Sequence, residues 1–316
     1  MRLLCLGLLL LPAFLCAQTF PSRPIRIIAT ATAGGGVATS ARVVAQNMQQ
    51  ALGQPGVVEN RPGGGGAAGS DFVAKAVPDG HTLVAISISH AVLPSSHKNL
   101  PYSPERDLTP IAVMVNAPNI LLAHPSLPVK SIRELIAYAR QRPGQVDYAS
   151  SGNASPSHLA TENLKLLAKI DLTHVPYKGT APGLTDVVAG RVSLMFTSII
   201  SARHLIDTGK LRALATAGGR RAAAAPEIPT IAEAGVPGYA VDVWYALLGP
   251  SGTPRTTLEK LNVAIAKILH APDVTNKLAS MGLEPVAENL TDTEAYIKAE
   301  IRKWARVVEA AKITAD

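Results

Sequence analysis

The sequence predicts an α/β protein of two lobes, with a ligand cleft between the lobes and two crossing strands that join them. Short apolar segments alternate with amphipathic helical segments over most of the 316 residues, a pattern typical of parallel sheets covered by helices. Small polar loops rich in Gly, Ser and Thr follow the ends of strands in both halves of the chain. Because strand ends in a parallel sheet meet at one edge, these loops predict the walls of the cleft.

The N-terminus has the pattern of a bacterial secretory signal over residues 1–17. Residues 1–2 form a short positive region, residues 3–15 an almost unbroken apolar run, and Ala17 is a small residue after which cleavage is expected. The run is too short to span a bilayer, which needs about 20 residues. Lipid attachment at Cys16 is the alternative, although Leu15 before it is large for such a site. We therefore predict export to the periplasm and removal of residues 1–17.

Composition excludes several classes of function. Both cysteines, Cys5 and Cys16, lie in the predicted signal, so the processed chain has no disulfide framework, thiol nucleophile or cysteine metal site. The net charge of +7 is mild and aromatic residues make up 4%, which argues against nucleic acid as a partner. No segment after the signal is long and apolar enough to span a membrane. The length favours two domains over one.

The first part of the processed chain predicts a βαβαβ unit. Strands are expected at 25–30, 57–59 and 82–87, with one helix that Gly53 ends and a second that ends at residue 76. Such a unit forms a right-handed parallel sheet with functional loops at its strand ends. Residues 64–69 satisfy G-x-G-x-x-G, but they follow the second strand and no acidic residue ends the third. We therefore reject dinucleotide binding.

The remainder of the chain predicts the second lobe and the return to the first. Capping boxes of Ser131 with Glu134 and of Thr291 with Glu294 are expected to start helices, and Thr180 to cap another. Further strands are expected at 111–115, 119–124, 146–149, from 174, and at 192–196, 211–216 and 241–248. The last three helices are expected at 254–270, 272–281 and 291–311. The predicted division is 18–121 plus 245–316 for lobe 1 and 122–244 for lobe 2.

The segment 147–159 organises the predicted second lobe. A strand ends near 149, a polar turn follows, and Ser155 and Pro156 suit the N-cap and first position of a helix to about residue 169. Leu159, Leu166, Leu167 and Ile170 are expected on its apolar side. Hydroxyls and unpaired N–H groups at a helix start form an anion-binding arrangement, although most N-cap residues only stabilise the helix and bind no ligand. Matching loops at 178–181 and 197–198, and at 31–36, 63–67 and 87–90 across the cleft, favour the binding interpretation.

Several segments resemble the periplasmic solute-binding proteins of tripartite tricarboxylate transporters. They are 21–26 (PSRPIR), 58–63 (VENRPG), 78–80 (PDG), 100–102 (LPY), 148–153 (YASSGN), 174–179 (HVPYKG), 209–213 (GKLRA), 229–235 (PTIAEAG) and 304–305 (WA). The resemblance implies a type II-like two-lobe periplasmic-binding-protein fold. It also implies capture of a small organic carboxylate, held by backbone N–H groups, hydroxyls and bridging waters. We predict a monomer that serves the membrane subunits of such a transporter, with a sensor kinase as the alternative partner.

Two departures from the family pattern bear on the ligand. The first family loop reads Pro-x-Pro-x-Gly-Gly-x-x-Asp, and here Thr30 and Thr32 replace the prolines and Ala38 replaces the acid. An Asp usually follows the strand that ends at 196, and here it is Thr197. In the family these acids can meet a ligand's amino group. Their loss favours an anionic or neutral ligand, and the two new threonine hydroxyls are expected to join the cleft.

The predicted ligand-binding residues come from the loops of both lobes. They are Ala31, Thr32, Gly34, Gly35, Gly65, Gly66, Ser87, Ser89, Ser150, Ser151, Asn153, Ser155, Thr180, Ala181 and Thr197. Ser87 and Ser89 alternate along a predicted strand, so only one of them is expected to face the cleft. Lys178 is either an anion attractor or a solvated rim residue, and His158 is expected to pack locally. Tyr245 is expected to serve core or hinge packing.

An exported α/β protein with serines and histidines has one enzymatic alternative, a serine hydrolase. The sequence lacks G-x-S-x-G, and it has neither the His-x-x-x-His spacing nor a carboxylate pair that would indicate zinc. We therefore predict a binding protein without catalytic activity, cofactor or metal.

Overall fold

The computed structural model describes residues 20–97 and 99–314, so the predicted signal at 1–17 lies outside the described residues. The strands are β1 Ile25–Ala29, β2 Gly56–Asn60, β3 Thr82–Ser87, β4 Leu108–Asn116, β5 Asn119–Ala123, β6 Asp147–Ser150, β7 Thr173–Pro176, β8 Leu194–Ser198, β9 Arg212–Thr216, β10 Trp244–Pro250 and β11 Glu284–Pro285. The helices are α1 Gly36–Leu52, α2 Ala67–Ala74, α3 Ser89–Ser96, α4 Ile132–Gln141, α5 Pro156–Ala168, α6 Thr180–Val188, α7 Ile199–Asp207, α8 Arg255–Leu269, α9 Pro272–Ser280 and α10 Leu290–Ala311.

The first lobe is built on a six-stranded sheet in the order β11-β4-β10-β3-β1-β2. β1 pairs in parallel with β2 and β3, so the predicted βαβαβ unit is confirmed. β10 lies antiparallel between β3 and β4, which places the returning chain at the centre of this sheet. Its tryptophan, Trp244, is fully buried, and the indole N–H donates to Glu300 Oε2 of α10 at 2.9 Å.

The second lobe is built on a five-stranded sheet in the order β7-β6-β8-β5-β9. β6 pairs in parallel with β7 and β8, whereas β5 runs antiparallel to β8 and β9. The parallel part brings the C-terminal ends of β6 and β8 to one edge. The helices α5 and α7 start at that edge, as expected for loops that carry function.

The chain crosses between the sheets at 117–118 and returns through the segment 217–243. The two crossings are joined by a hydrogen bond from Ala117 N–H to the Val243 carbonyl at 2.7 Å. β5 pairs along its whole length in the second sheet, so the predicted boundary at residue 121 falls inside a strand and the crossing lies before it. The outgoing crossing is short and the return segment is longer, and adjacent crossings of this kind are the positions about which two lobes rotate.

Two helices of the structure were not predicted, and both alter the cleft. α3 follows β3 directly, so Ser89 begins a helix rather than continuing a strand, and its predicted alternation with Ser87 is wrong. The segment is short and contains Pro94, so its sequence does not indicate a helix. α7 follows β8 in the same way, with Ser198 as its N-cap.

The predicted helix starts are correct at two of four positions. Ser131 and Ser155 accept from the N–H groups of Glu134 and His158, at 3.2 and 3.4 Å, as N-caps should. At the last helix Asn289 is the cap, because its Oδ1 accepts from Asp292 N–H at 2.9 Å, so the predicted box of Thr291 and Glu294 is wrong.

α6 also starts differently from the prediction, since Gly179 is its N-cap and Thr180 its first helical residue. The predicted apolar side of α5 is half correct, since Leu159 and Ile170 are buried as expected. Leu166 and Leu167 are 45% and 41% exposed, whereas the buried side carries Leu159 and Leu164.

Candidate functional site

A cavity of about 260 Å³ lies between the lobes at the crossing segments, and we call it the front cavity. Its walls are dominated by hydroxyl groups of the second lobe. They are contributed by Ser151, Ser157, Thr180, Thr197, Ser198 and Ser201. Tyr245 of β10 faces them from the first lobe. No lining residue carries a charged side chain, so any preference of this cavity for an ion arises from backbone dipoles and hydroxyl groups.

Three helices begin at the front cavity. α5 contributes its first two residues, Pro156 and Ser157, α6 contributes Thr180, and α7 contributes its cap Ser198 together with Ser201. The first turn of each helix has N–H groups without partners inside the helix, and the helix dipole adds a partial positive charge there. The N–H groups of His158 and Ser201 are already bonded to their caps and that of Ile199 to the Pro118 carbonyl, so it is chiefly the dipoles of the three converging ends that favour an anion in this cavity.

The hydroxyl of Thr197 is the one fully buried polar side-chain group of this wall that lacks a partner among the described residues. Thr197 is only 4% exposed, and its Oγ1 is buried without a hydrogen bond. A buried hydroxyl left unsatisfied destabilises a fold by about 1–3 kcal/mol. An oxygen of a bound molecule in the front cavity would satisfy it, so this group is an independent indication of a ligand.

A second cavity, of about 280 Å³, lies on the other side of Pro156, and we call it the side cavity. Its first-lobe wall is formed by Gly64, Gly65 and helix α3 with Ser89, Val92, Leu93 and Ser96, followed by His97. Its second-lobe wall is the turn 153–156. Gly64 and Gly65 have φ values of +54° and +63°, which glycine adopts without strain, so this wall can pass close to a ligand.

The loop after β1 is held by side chains of its own lobe. Arg42 donates to the Ala33 carbonyl at 2.6 Å and to Asn60 Oδ1 at 2.5 Å. Asn60 in turn donates to the Ala31 carbonyl at 2.7 Å. The hydroxyl of Thr30 donates to the Ala85 carbonyl at 2.9 Å, so the expectation that it joins the cleft is wrong. Thr32 is exposed and lines neither cavity.

The predicted residues divide into three groups. Gly65, Ser89, Asn153 and Ser155 line the side cavity, and Ser151, Thr180 and Thr197 line the front cavity. Eight line neither: Ala31, Thr32, Gly34, Gly35, Gly66, Ser87, Ser150 and Ala181. Ser150 is fully buried because its hydroxyl turns inward, towards His174. As ligand contacts, all fifteen remain predictions.

Several lining residues escaped the sequence analysis, and Tyr245 is the most informative. Its ring lies so close to Gly36 that a Cβ on that glycine would overlap it, which places the phenol against the start of α1. Burial raises the pKa of Tyr245, so its hydroxyl keeps its proton and can donate to an anion. Lys178 is exposed and lines neither cavity, so it does not supply the positive charge.

The crossing segments separate the front cavity from a crevice on their opposite side. Ala117 and Val243 line the front cavity, whereas Pro118, the next residue along the chain, lines the crevice. There Glu284 of the first lobe accepts a hydrogen bond from Ala223 N–H of the second lobe at 2.8 Å. Glu284 Oε2 also lies 3.5 Å from the Arg220 guanidinium, so this carboxylate has two contacts with the return segment.

One pair of side chains among the described residues has the spacing expected of a catalytic nucleophile and its base. Ser150 Oγ and His174 Nε2 are 2.6 Å apart, which is the spacing of a nucleophile and its base. Ser150 has no exposed surface, however, and its hydroxyl also bonds the Gly152 carbonyl at 3.1 Å, so a substrate has no access to it. Within residues 20–97 and 99–314, no three His, Cys, Asp or Glu side chains are grouped to hold a metal ion. In the same ranges, no helix has the length and apolar character needed to cross a membrane.

Comparison with known proteins places these features in a family. Residues 40–313 match the tripartite tricarboxylate transporter family receptor, TctC. The Bordetella pertussis protein BugT is 36% identical over 294 residues, covering 92% of this chain and 90% of BugT. The structure of R. palustris Rpa4515 with adipate has a TM-score of 0.78 and 35% identity, covering 93% of this chain and 99% of that chain. MatC from Rhodopseudomonas palustris, with bound malate, has a TM-score of 0.74 and 34% identity, covering 92% and 100%.

These likenesses extend over nearly the whole chain and include both lobes, so the predicted two-lobe α/β fold is confirmed. The chain belongs to the receptor family of the tripartite tricarboxylate transporters, as the sequence resemblance predicted.

Proposed function

We propose that this protein binds a small organic carboxylate in the front cavity and delivers it to the membrane subunits of a tripartite tricarboxylate-type transporter. It acts in the periplasm as a monomer, after removal of residues 1–17, and without catalysis. One observation carries the proposal: three helix N-termini and the unpartnered Thr197 hydroxyl converge on a cavity whose walls hold no charged side chain. The adipate and malate bound to two related structures belong to the same ligand class.

The absence of acids from the lining residues narrows the ligand class. Thr197 stands where the family usually has an aspartate, and Ala38, where another is usual, is fully buried. An ammonium group in the front cavity would therefore face helix N-termini with no carboxylate beside it. We propose that the protein prefers carboxylates without an amino group, and that Ser151, Ser157, Thr180 and Tyr245 join Thr197 as contacts.

Capture depends on both lobes. The hydroxyls belong to the second lobe and Tyr245 to the first, so a ligand that contacts both favours a closed arrangement of the lobes. The crossing segments provide the pivot, and the closed form presents the surface that the membrane subunits recognise. The ligand shifts this equilibrium only by its difference in affinity for the two forms.

A thermal-shift screen of matched ligand pairs tests the proposal. Succinate with aspartate, and glutarate with glutamate, differ only in the amino group. A ligand at 100 times its Kd stabilises the native state by about 2.7 kcal/mol, which gives a readily measured rise in Tm. We expect a rise with carboxylates that lack the amine. A rise with the amino acids instead would contradict the proposed ligand class, and no response to any carboxylate would contradict the proposed function.

A further inference from the structure

Three aromatic rings stack beneath the turn that links β6 to α5. Tyr148, His174 and His158 come from β6, β7 and α5 respectively. The two imidazoles are nearly parallel, with centroids 4.0 Å apart and an angle of 9° between their planes. Tyr148 continues the stack, 4.9 Å from His174 at an angle of 16°. The stack lines neither the front nor the side cavity, so it does not contact a ligand there.

Each imidazole holds one end of the turn. His158 Nδ1 accepts a hydrogen bond from the N–H of Ala154 at 3.1 Å. His174 Nε2 lies 2.6 Å from Ser150 Oγ. Ala154 has φ +54°, the left-handed region that residues with a side chain seldom adopt. Its conformation therefore depends on a partner that fixes its peptide group, and His158 is that partner.

The held turn is part of both cavities. Asn153 and Ser155, on either side of Ala154, line the side cavity. Ser155 also caps α5, and its Oγ lies 3.2 Å from the Oγ of Ser157, which lines the front cavity. A shift of the Ala154 peptide would therefore move the cap and the first turn of α5 together.

We propose that His158 and His174 are positioning residues, and that the stacked pair keeps the turn 150–155 in its ligand-binding conformation while the His158 ring is neutral. The consequence for affinity rests on the proposed function, whereas the effect on the turn does not. His158 can accept from Ala154 only with Nδ1 unprotonated, so its proton lies on Nε2. Protonation of the ring would remove the acceptor and release Ala154.

The surroundings of the pair keep it neutral at ordinary pH. Burial and the charge that His174 would carry lower the pKa of His158 to about 4, and burial lowers the pKa of His174 as well. The charged groups that face the stack are Glu162 and Lys165 of α5. Glu162 Oε1 accepts from the Tyr148 hydroxyl at 2.6 Å and from Lys165 Nζ at 2.8 Å, and it lies 4.0 Å from His158 Nε2. The carboxylate is thus already bonded to two other donors.

The test compares two substitutions of His158 by amide exchange of Ala154 in the ligand-free protein. In His158→Asn, Oδ1 occupies the place of Nδ1, so we expect protection within twofold of the wild type. In His158→Leu the acceptor is lost, so protection is expected to fall at least tenfold. Wild-type protection, corrected for intrinsic exchange, should fall as pH drops from 6.5 towards 4. In His158→Asn it should not change with pH.

Two results would overturn the proposal. One is unchanged Ala154 protection in His158→Leu, and the other is the same pH dependence in His158→Asn as in the wild type. The asparagine variant decides the question even if the leucine variant does not fold. Calorimetric titration with adipate is the second readout, with at least tenfold weaker binding expected in the leucine variant only. Failure of adipate to bind the wild type would exclude adipate as the ligand, and the exchange result would still decide the role of His158.

Discussion

Replacement of Thr197 by valine separates a ligand contact from a structural role. Valine has nearly the same shape as threonine and lacks the hydroxyl, so the packing at the end of β8 is kept. In the ligand-free protein the Thr197 Oγ1 is buried without a partner, and it therefore contributes no hydrogen bond to the fold. We expect the free energy of unfolding to stay unchanged or to rise by about 1 kcal/mol.

Binding should respond in the opposite direction. A hydrogen bond to a charged group contributes about 1.5–3 kcal/mol, so loss of the Thr197 hydroxyl should weaken carboxylate binding about 10- to 150-fold. Calorimetric titration gives the change in Kd, and urea unfolding gives the change in stability. Thr197→Ser is the matched control, because it keeps the hydroxyl and should keep affinity within a few fold.

Affinity and stability measured together show whether the Thr197 hydroxyl contacts the ligand or the protein. Lower affinity with equal or higher stability is the expected outcome. Equal affinity in Thr197→Val would show that the hydroxyl does not meet the ligand. A loss of stability of more than about 1 kcal/mol would show that the hydroxyl has a partner in the protein. Its lack of a partner would then no longer indicate a ligand.

Three further predictions follow from other parts of the structure. Gly36→Ala should lower the free energy of unfolding by about 1–3 kcal/mol, measured in urea, because the added Cβ overlaps the ring of Tyr245. Burial lowers the pKa of His90 to about 4. Burial and the charge that His174 would carry lower the pKa of His158 to about 4 as well. Between pH 6.5 and 4, the unfolded chain therefore binds protons that the folded chain does not. Each histidine therefore contributes about 3 kcal/mol above pH 6.5 that is lost as pH falls to about 4, and urea midpoints across this range should show it. Glu284→Ala removes a contact between the lobes outside the front cavity, which closure about the crossing segments would lengthen, so carboxylate affinity should rise about fivefold. Glu284→Gln keeps the acceptor for Ala223 and loses only the exposed ion pair with Arg220, so its affinity should rise less.

The architecture was predictable because local signals and global topology agree. Apolar segments at 25–29 and 82–87 lie in adjacent parallel strands, as their pattern indicates. Ser155 and Pro156 mark the start of α5 by chemistry that acts within one turn. Resemblance to the family supplied the fold type and the expectation of a carboxylate.

The details of the cleft depend on tertiary contacts that a single sequence does not carry. Tyr245 lies on a buried strand, so the sequence indicates core packing, and only the folded structure shows that it lines the front cavity. Ser150 reads as a cleft serine, but its hydroxyl turns inward because His174 lies behind it on the neighbouring strand. In the same way, the hydroxyl of Thr30 donates to the carbonyl of Ala85 instead of facing the cleft.

The most direct test of the central claim is a crystal structure of the protein with the tightest-binding carboxylate from the thermal-shift screen. We expect a carboxylate group in the front cavity, with oxygens about 3 Å from Thr197 Oγ1 and from backbone N–H groups at the starts of α5 and α6. A carboxylate bound elsewhere, with Thr197 still unpartnered, would contradict the claim that these helix N-termini form the anion site.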